Sequence, residues 1–222
     1  MATQPVQRVV AEGVRLQAGR LEAICARQGY RRVAGVDEVG RGALAGPLVA
    51  AAVLFDVEHI PDGLCDSKLL TPQEREFHAG RILAAAEGVS YAVVDPADID
   101  EGGLQVQNLD ALRRAVVALR PEPEYVICDH FSLEDTGLPH VGLPKADTLS
   151  AAVAAASIVA KVSRDAFMVE LDAEHPGYGF ARHKGYSCDE HWAALRALGP
   201  SPVHRRSFRG VGSWQTSLGL DA

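Results

Sequence analysis

At 222 residues the chain is long enough for one substantial core with room for a small appendage, and 47% hydrophobic content excludes intrinsic disorder. The net charge of −7 argues against indiscriminate coating of nucleic acid. Arg8, Arg15 and Arg20 break any N-terminal apolar run, and Leu44–Phe55 and Leu149–Ala160 are too short to cross a bilayer, so no signal peptide and no membrane span are expected.

Residues 1–30 read as a helix over Val10–Ala26 stopped by Gly29. Val33–Asp37 is a short apolar strand ending on the acids Asp37 and Glu38; a tight turn, Gly40-Arg41-Gly42, leads into a second strand, Leu44–Phe55. Leu64–Leu70 is a loop. Thr71-Pro72-Gln73-Glu74 has the N-cap, first-position proline and third-position glutamate of a capping box, and opens a helix to about Glu87. Strand Val89–Val94, helix Asn108–Leu119, strand Tyr125–Cys128 ending on Asp129, and a short strand at His140–Leu143 follow. Asp147 opens a long Ala-rich helix to about Glu170, whose small residues suit close packing on a sheet. Ser187-Cys188-Asp189-Glu190 reads as a second capping box, starting a helix that ends at Gly199-Pro200. Two strands, a third, then strands alternating with helices predict an α/β fold with a mixed sheet.

The four cysteines, Cys25, Cys65, Cys128 and Cys188, lack zinc-like or regular spacing and are expected as free thiols in a reducing cytoplasm. Charge is uneven along the chain. From Tyr178 to Gly210 the basic residues Arg182, Lys184, Arg196, Arg205, Arg206 and Arg209 are opposed only by Asp189 and Glu190, the distribution a phosphate-binding segment needs. Lys68, Lys161 and Arg164 are further candidate phosphate contacts, and Lys161 equally suits an ion pair with Asp165 one turn on. His175, His183 and His191 read as surface or packing residues.

Two strands end on acids, at Asp37-Glu38 and at Asp129, and strand ends in such sheets converge on a crevice. Clustered carboxylates repel and call for a cation; hard divalent ions prefer oxygen ligands, and the set suits two-metal phosphodiester chemistry. Taken alone, Asp129 is equally a turn residue and Asp147 an ordinary helix N-cap.

The segment GVDEVGRGALAGP resembles the first motif of the ribonuclease HII family. Further resemblances run in order: Asp66-Ser67-Lys68-Leu69-Leu70, Asp129, Lys145-Ala146-Asp147, ASIVAKVSRD over 156–165, His183-Lys184-Gly185-Tyr186 and His204-Arg205-Arg206-Ser207-Phe208. They cover roughly residues 30–210. His130 and Ala146 stand where the family commonly has glycine.

The resemblance implies a ribonuclease H-like mixed sheet flanked by helices, with a C-terminal helical extension. It implies one domain: a helix over 1–29, a catalytic core over about 30–200 and a tail over 201–222. The implied activity is hydrolysis 5′ to ribonucleotides, in RNA–DNA hybrids and at ribonucleotides embedded in duplex DNA, leaving 3′-hydroxyl and 5′-phosphate ends. The implied metal ligands are Asp37, Glu38, Asp129 and Asp147, holding two Mg²⁺ or Mn²⁺ ions. Gly40, Arg41 and Gly42 would read the 2′-hydroxyl, Tyr186 would pack on the sugar beyond, and Lys68 would meet phosphate. A cytoplasmic monomer engaged in ribonucleotide excision repair is the accompanying expectation.

Overall fold

A computed structural model of the chain describes residues 19–212. Five strands, β1 (Arg32–Val39), β2 (Leu48–Asp56), β3 (Gly88–Val94), β4 (Tyr125–Asp129) and β5 (His140–Leu143), form one mixed sheet in the order β3-β2-β1-β4-β5. β1 runs parallel to β4, with Val33 opposite Tyr125 and Val36 opposite Cys128; β4 runs parallel to β5. The helices are α1 (Arg20–Arg27), α2 (Pro72–Ala85), α3 (Pro96–Gly102), α4 (Leu104–Ala118), α5 (Ala151–Glu174), α6 (Phe180–His183) and α7 (Asp189–Leu198). Among the described residues no helix is long and apolar enough to cross a membrane, and the four cysteines are free.

The described chain forms two compact units: residues 19–39, 50–92 and 109–162, and residues 40–49, 93–108 and 163–212. In the first, the alanine-rich face of α5 is buried with Val53, Phe55 and Ile82. The expected close packing follows from Gly35: a Cβ there would lie 2.1 Å from the carbonyl carbon of Ala152 and 2.2 Å from the nitrogen of Val153. Strand alternation puts Val33, Gly35 and Asp37 on one face of β1, and Val33 accordingly packs with Val153.

In the second unit, Ala45, Met168, Tyr178 and Phe180 make one small core, and Leu44, Leu195 and Val211 another. Here two arginines are fully buried. Arg164 donates to the carbonyls of Pro47 (2.8 Å), Ala45 (3.2 Å) and Lys184 (2.9 Å). Arg205 donates to Gly46 O through Nε (3.1 Å) and Nη2 (2.9 Å), and to Arg41 O at 3.1 Å. Both were expected at phosphate; both instead satisfy the carbonyls of the irregular segment 41–47, a structural use of the guanidinium fork.

Several boundaries differ from expectation for local reasons. The N-terminal helix is observed only as Arg20–Arg27, the expected part before residue 19 lying outside the described residues. β2 begins at Leu48 and not at Leu44, because Gly46 takes a φ of 82° and residues 44–46 bond to Gly185 and Val203. α3 and the first turn of α4 precede the expected helix start at Asn108, between it and the strand ending at Val94, where no element was expected. In the α7 box the cap is Cys188, whose Sγ accepts the His191 N–H at 3.5 Å. The Thr71–Glu74 capping box forms as expected.

Candidate active site

Asp37 and Asp129 come together through register. β1 and β4 are parallel neighbours, and one step beyond the Val36–Cys128 pair puts Asp37 opposite Asp129 at the C-terminal ends of both strands. Asp37 points to the face covered by α5, where Ser157 donates a hydrogen bond to it. The distances agree: Gly35 to Asp37 is about 6.6 Å along the strand, and Val153 to Ser157 about 6 Å along the helix. A second hydrogen bond is local: Asp37 Oδ1 accepts the Glu38 N–H at 2.8 Å.

Asp147 does not open the long helix. It lies in a 3-10 turn, Ala146–Thr148, and the helix is capped by Ser150, whose Oγ accepts the Val153 N–H at 3.1 Å. The Asp147 carboxylate is thereby released from capping. Its turn is tied to Asp129, whose Oδ1 accepts the Ala146 N–H at 2.7 Å. His130 and Lys145, which flank this connection, both take left-handed backbone with φ of 63° and 60°. The family's glycine at position 130 is thus a conformational preference that histidine meets at some strain.

Lys68 approaches from a 3-10 turn, Ser67–Leu69, capped by Asp66. Its Nζ is 3.3 Å from Asp147 Oδ2 and 3.6 Å from Asp66 Oδ1. Ser67, in the same turn, lies 3.0 Å from Ser157 through their hydroxyls, and Arg75 pins the turn by donating to the Ser67 carbonyl at 3.0 Å. Ser67 and Ser157 therefore link Lys68 to Asp37. Sequence reading assigned neither serine a role. Both lie inside motifs that resemble the family's, but a serine in a loop or helix carries no signal of what it touches.

The electrostatics follow from this crowding. Burial, then Glu38, hold the Asp37 carboxyl well above the usual range against its Ser157 bond; Asp129 adds to the rise. Burial also raises Asp129, with Asp147 adding to it and the Ala146 N–H and Lys68 opposing. Burial disfavours the Lys68 ammonium, yet Asp147, Asp66 and Asp37 together hold its pKa above the ordinary value. Among the described residues no three His, Cys, Asp or Glu side chains close tightly enough on one point to form an ion cage. The donor set is all oxygen, as a hard divalent ion requires, and the Lys68 ammonium already stands as a cation beside it.

The second unit carries the remaining expected residues. Gly40 takes a φ of 91°, and a Cβ there would lie 2.1 Å from Arg164 Nε, so only glycine fits. A Cβ at Gly42 would meet nothing within 4 Å, so the exposed side of this turn is open to close approach. Arg41 donates to Gln105 Oε1 at 2.6 Å. Tyr186 is half-buried, with the Arg164 guanidinium 5.2 Å from its ring centre, and the Gly185 carbonyl before it accepts the Leu44 N–H at 2.8 Å.

The family profile for ribonuclease HII matches residues 34–211. Ribonuclease HII of Salinispora tropica is 51% identical over 193 residues, 86% of this chain and 72% of that protein. That of Geobacillus kaustophilus is 48% identical over 82% of this chain and 70% of its own. Among solved structures, ribonuclease H2 from Pyrococcus horikoshii superposes with a TM-score of 0.73 at 30% identity, covering 83% of this chain and 97% of its own. Ribonuclease HIII (Bst-RNase HIII), solved with Mn²⁺, does so with a TM-score of 0.63 at 25% identity, covering 88% and 73%. The chain belongs to the ribonuclease HII family, the metal-dependent endoribonucleases that cleave RNA in RNA–DNA hybrids.

Proposed function

We propose that the protein cuts the phosphodiester on the 5′ side of ribonucleotides, both in hybrids and at ribonucleotides embedded in duplex DNA, leaving 3′-hydroxyl and 5′-phosphate ends. The observation that carries this reading is the gathering of Asp37, Asp129 and Asp147 around Lys68, with Asp37 and Asp129 both raised by burial and neighbouring carboxylates. Asp37, Glu38, Asp129 and Asp147 would hold two divalent ions, Mg²⁺ or Mn²⁺. Those ions would supply an activated water and neutralise charge on the leaving 3′ oxygen. The chain's own part is positioning. Ser157 and the Ala146 N–H aim two of the carboxylates, and Lys68 shields Asp147 until substrate or cation arrives.

Recognition falls to the second unit. The open side of Gly42 suits contact of the Gly40–Gly42 backbone with a 2′-hydroxyl, the group that distinguishes RNA from DNA. Tyr186 would pack on the sugar beyond the ribonucleotide, where a second 2′-hydroxyl would crowd it. Residues 30–200 would act as one catalytic domain of a cytoplasmic monomer serving ribonucleotide excision repair. The test is single-turnover cleavage of duplexes carrying zero, one or four ribonucleotides. The wild type should cut the last two only, and Asp37→Asn neither. Near-wild-type cleavage by Asp37→Asn at millimolar Mg²⁺ would sink the assignment.

A further inference from the structure

The second unit contains a buried row of imidazoles that the reaction chemistry does not use. His191 and His204 are 0% and 1% exposed. The backbone N–H of Ser201 donates to Nδ1 of His204 at 3.0 Å, so the proton of the neutral His204 ring is on Nε2. That nitrogen faces Nε2 of His191 at 3.0 Å; His204 therefore donates and His191 accepts. The His191 proton is then on Nδ1, 3.0 Å from the carbonyl oxygen of Tyr186. Each donor meets one acceptor, and the protons can be arranged in one direction only, from Ser201 to Tyr186.

His183 reinforces the end of this chain. Its ring stacks on His191 at 4.4 Å and 17°, and its Nδ1 accepts the Gly185 N–H at 3.2 Å. Two imidazoles thus hold the backbone at Gly185 and Tyr186, while Arg164 lies over the Tyr186 ring. A buried polar chain costs stability unless every member is satisfied, and apolar residues would pack α7 without that cost. The chain ends, however, on the carbonyl of one half-buried tyrosine.

We propose that His191 and His204 are positioning residues for the reaction: their directed hydrogen-bond chain fixes the Tyr186 backbone and so places its ring against the sugar beyond the ribonucleotide. This rests on the reading of Tyr186 given above. Neutrality of the chain is secured by its surroundings. Burial, then His191, push His204 down to about 4, and His175 and His183 add to the fall. Burial also lowers His191. The Tyr178 hydroxyl nearby is committed to Gly199 O at 2.7 Å, and the neighbouring Arg205 is turned onto Gly46 O.

The experiment is a double-mutant cycle read by single-turnover cleavage of a duplex with one ribonucleotide, on protein whose folding is checked by melting. His191→Leu should slow cleavage about tenfold with little change in duplex affinity, because the loss is one of placement. His191→Asn, which keeps a donor toward Tyr186, should recover part of the rate. On the Tyr186→Ala background, His191→Leu should change the rate by less than about twofold. His204→Gln, which keeps a donor toward His191 and loses the acceptor for Ser201, gives an independent cycle with the same expected outcome should His191→Leu not fold. If Tyr186→Ala is slow while either folded histidine variant cleaves at the wild-type rate, or if the losses multiply, the histidines serve the fold alone and the proposal is overturned. If Tyr186→Ala itself cleaves at the wild-type rate, the tyrosine reading is what fails, and the proposal falls with it.

Discussion

The Ala146 N–H donates to Oδ1 of Asp129 at 2.7 Å, so the carboxylate that ends β4 also anchors the turn carrying Asp147. One oxygen of Asp129 is thereby committed to holding that turn. Asp129→Asn keeps a carbonyl oxygen for the Ala146 N–H and removes the charge. It should lower single-turnover cleavage by about a hundredfold, the equivalent of roughly 3 kcal/mol. Burial and Asp147 raise the Asp129 carboxyl, so the same variant should melt no lower than the wild type in EDTA. Wild-type rates in Asp129→Asn would remove Asp129 from the site.

The buried and exposed arginines of the C-terminal segment should separate cleanly. Arg206 is exposed, and among the described residues it is held through its backbone N–H, which donates to Asp100 Oδ2 at 2.7 Å. Arg206→Ala should therefore leave melting unchanged and reduce the salt dependence of duplex binding by about one unit of slope if it meets a phosphate. Arg205 is 0% exposed and satisfies two carbonyls. Arg205→Ala should cost about 3 kcal/mol or more, through orphaned buried acceptors and a void. Thermal melts and salt titrations of the two single variants check this. A changed slope without destabilisation in Arg205→Ala would return that residue to the nucleic-acid interface.

What was legible in the chain was whatever depends on neighbours in sequence. The Thr71–Glu74 box, the apolar strands ending on Asp37 and Asp129, and the alanine face of α5 all announce themselves by local chemistry. Asp147 was misplaced by a few residues because Asp and Ser cap helices equally well, and only the fold decides that Ser150 does so. Arg164 and Arg205 looked like surface cations; no sequence pattern tells that a guanidinium faces carbonyls left unpaired by a bend at Gly46. The partnership of Ser157 with Asp37 depends on strand-to-helix register, a long-range fact.

Gly35 is where that register is set. A Cβ there would overlap backbone atoms of Ala152 and Val153, not a side-chain tip that can move aside. Gly35→Ala should push α5 from β1, cost about 3 kcal/mol or more, and draw Ser157 away from Asp37. Cleavage by the folded fraction should therefore fall together with stability. The measurement is denaturant unfolding beside single-turnover rates normalised to folded protein. Full activity per folded molecule would show that the Ser157 contact does not aim Asp37.

Glu22, on α1, offers a test of the fold's pH dependence at a residue outside the candidate metal ligands. It is 1% exposed; its Oε1 accepts the Ala152 N–H at 3.0 Å and the Ser150 hydroxyl, while Oε2 has no hydrogen-bond partner among the described residues. Burial outweighs these bonds and raises its carboxyl above the ordinary value of 4.5. The folded state thus holds the proton more tightly than the unfolded state. The stability this gives is fully present below pH 4.5 and is lost as pH rises through the folded value. Glu22→Gln mimics the protonated form at every pH. It should match the wild type at pH 4 and melt higher at pH 8, where each 1 kcal/mol gained appears as about 2–4 °C. Melting curves of both proteins across this range decide it. A variant that melts lower than the wild type at pH 8 would mean that the charged carboxylate is the favoured form in the folded protein.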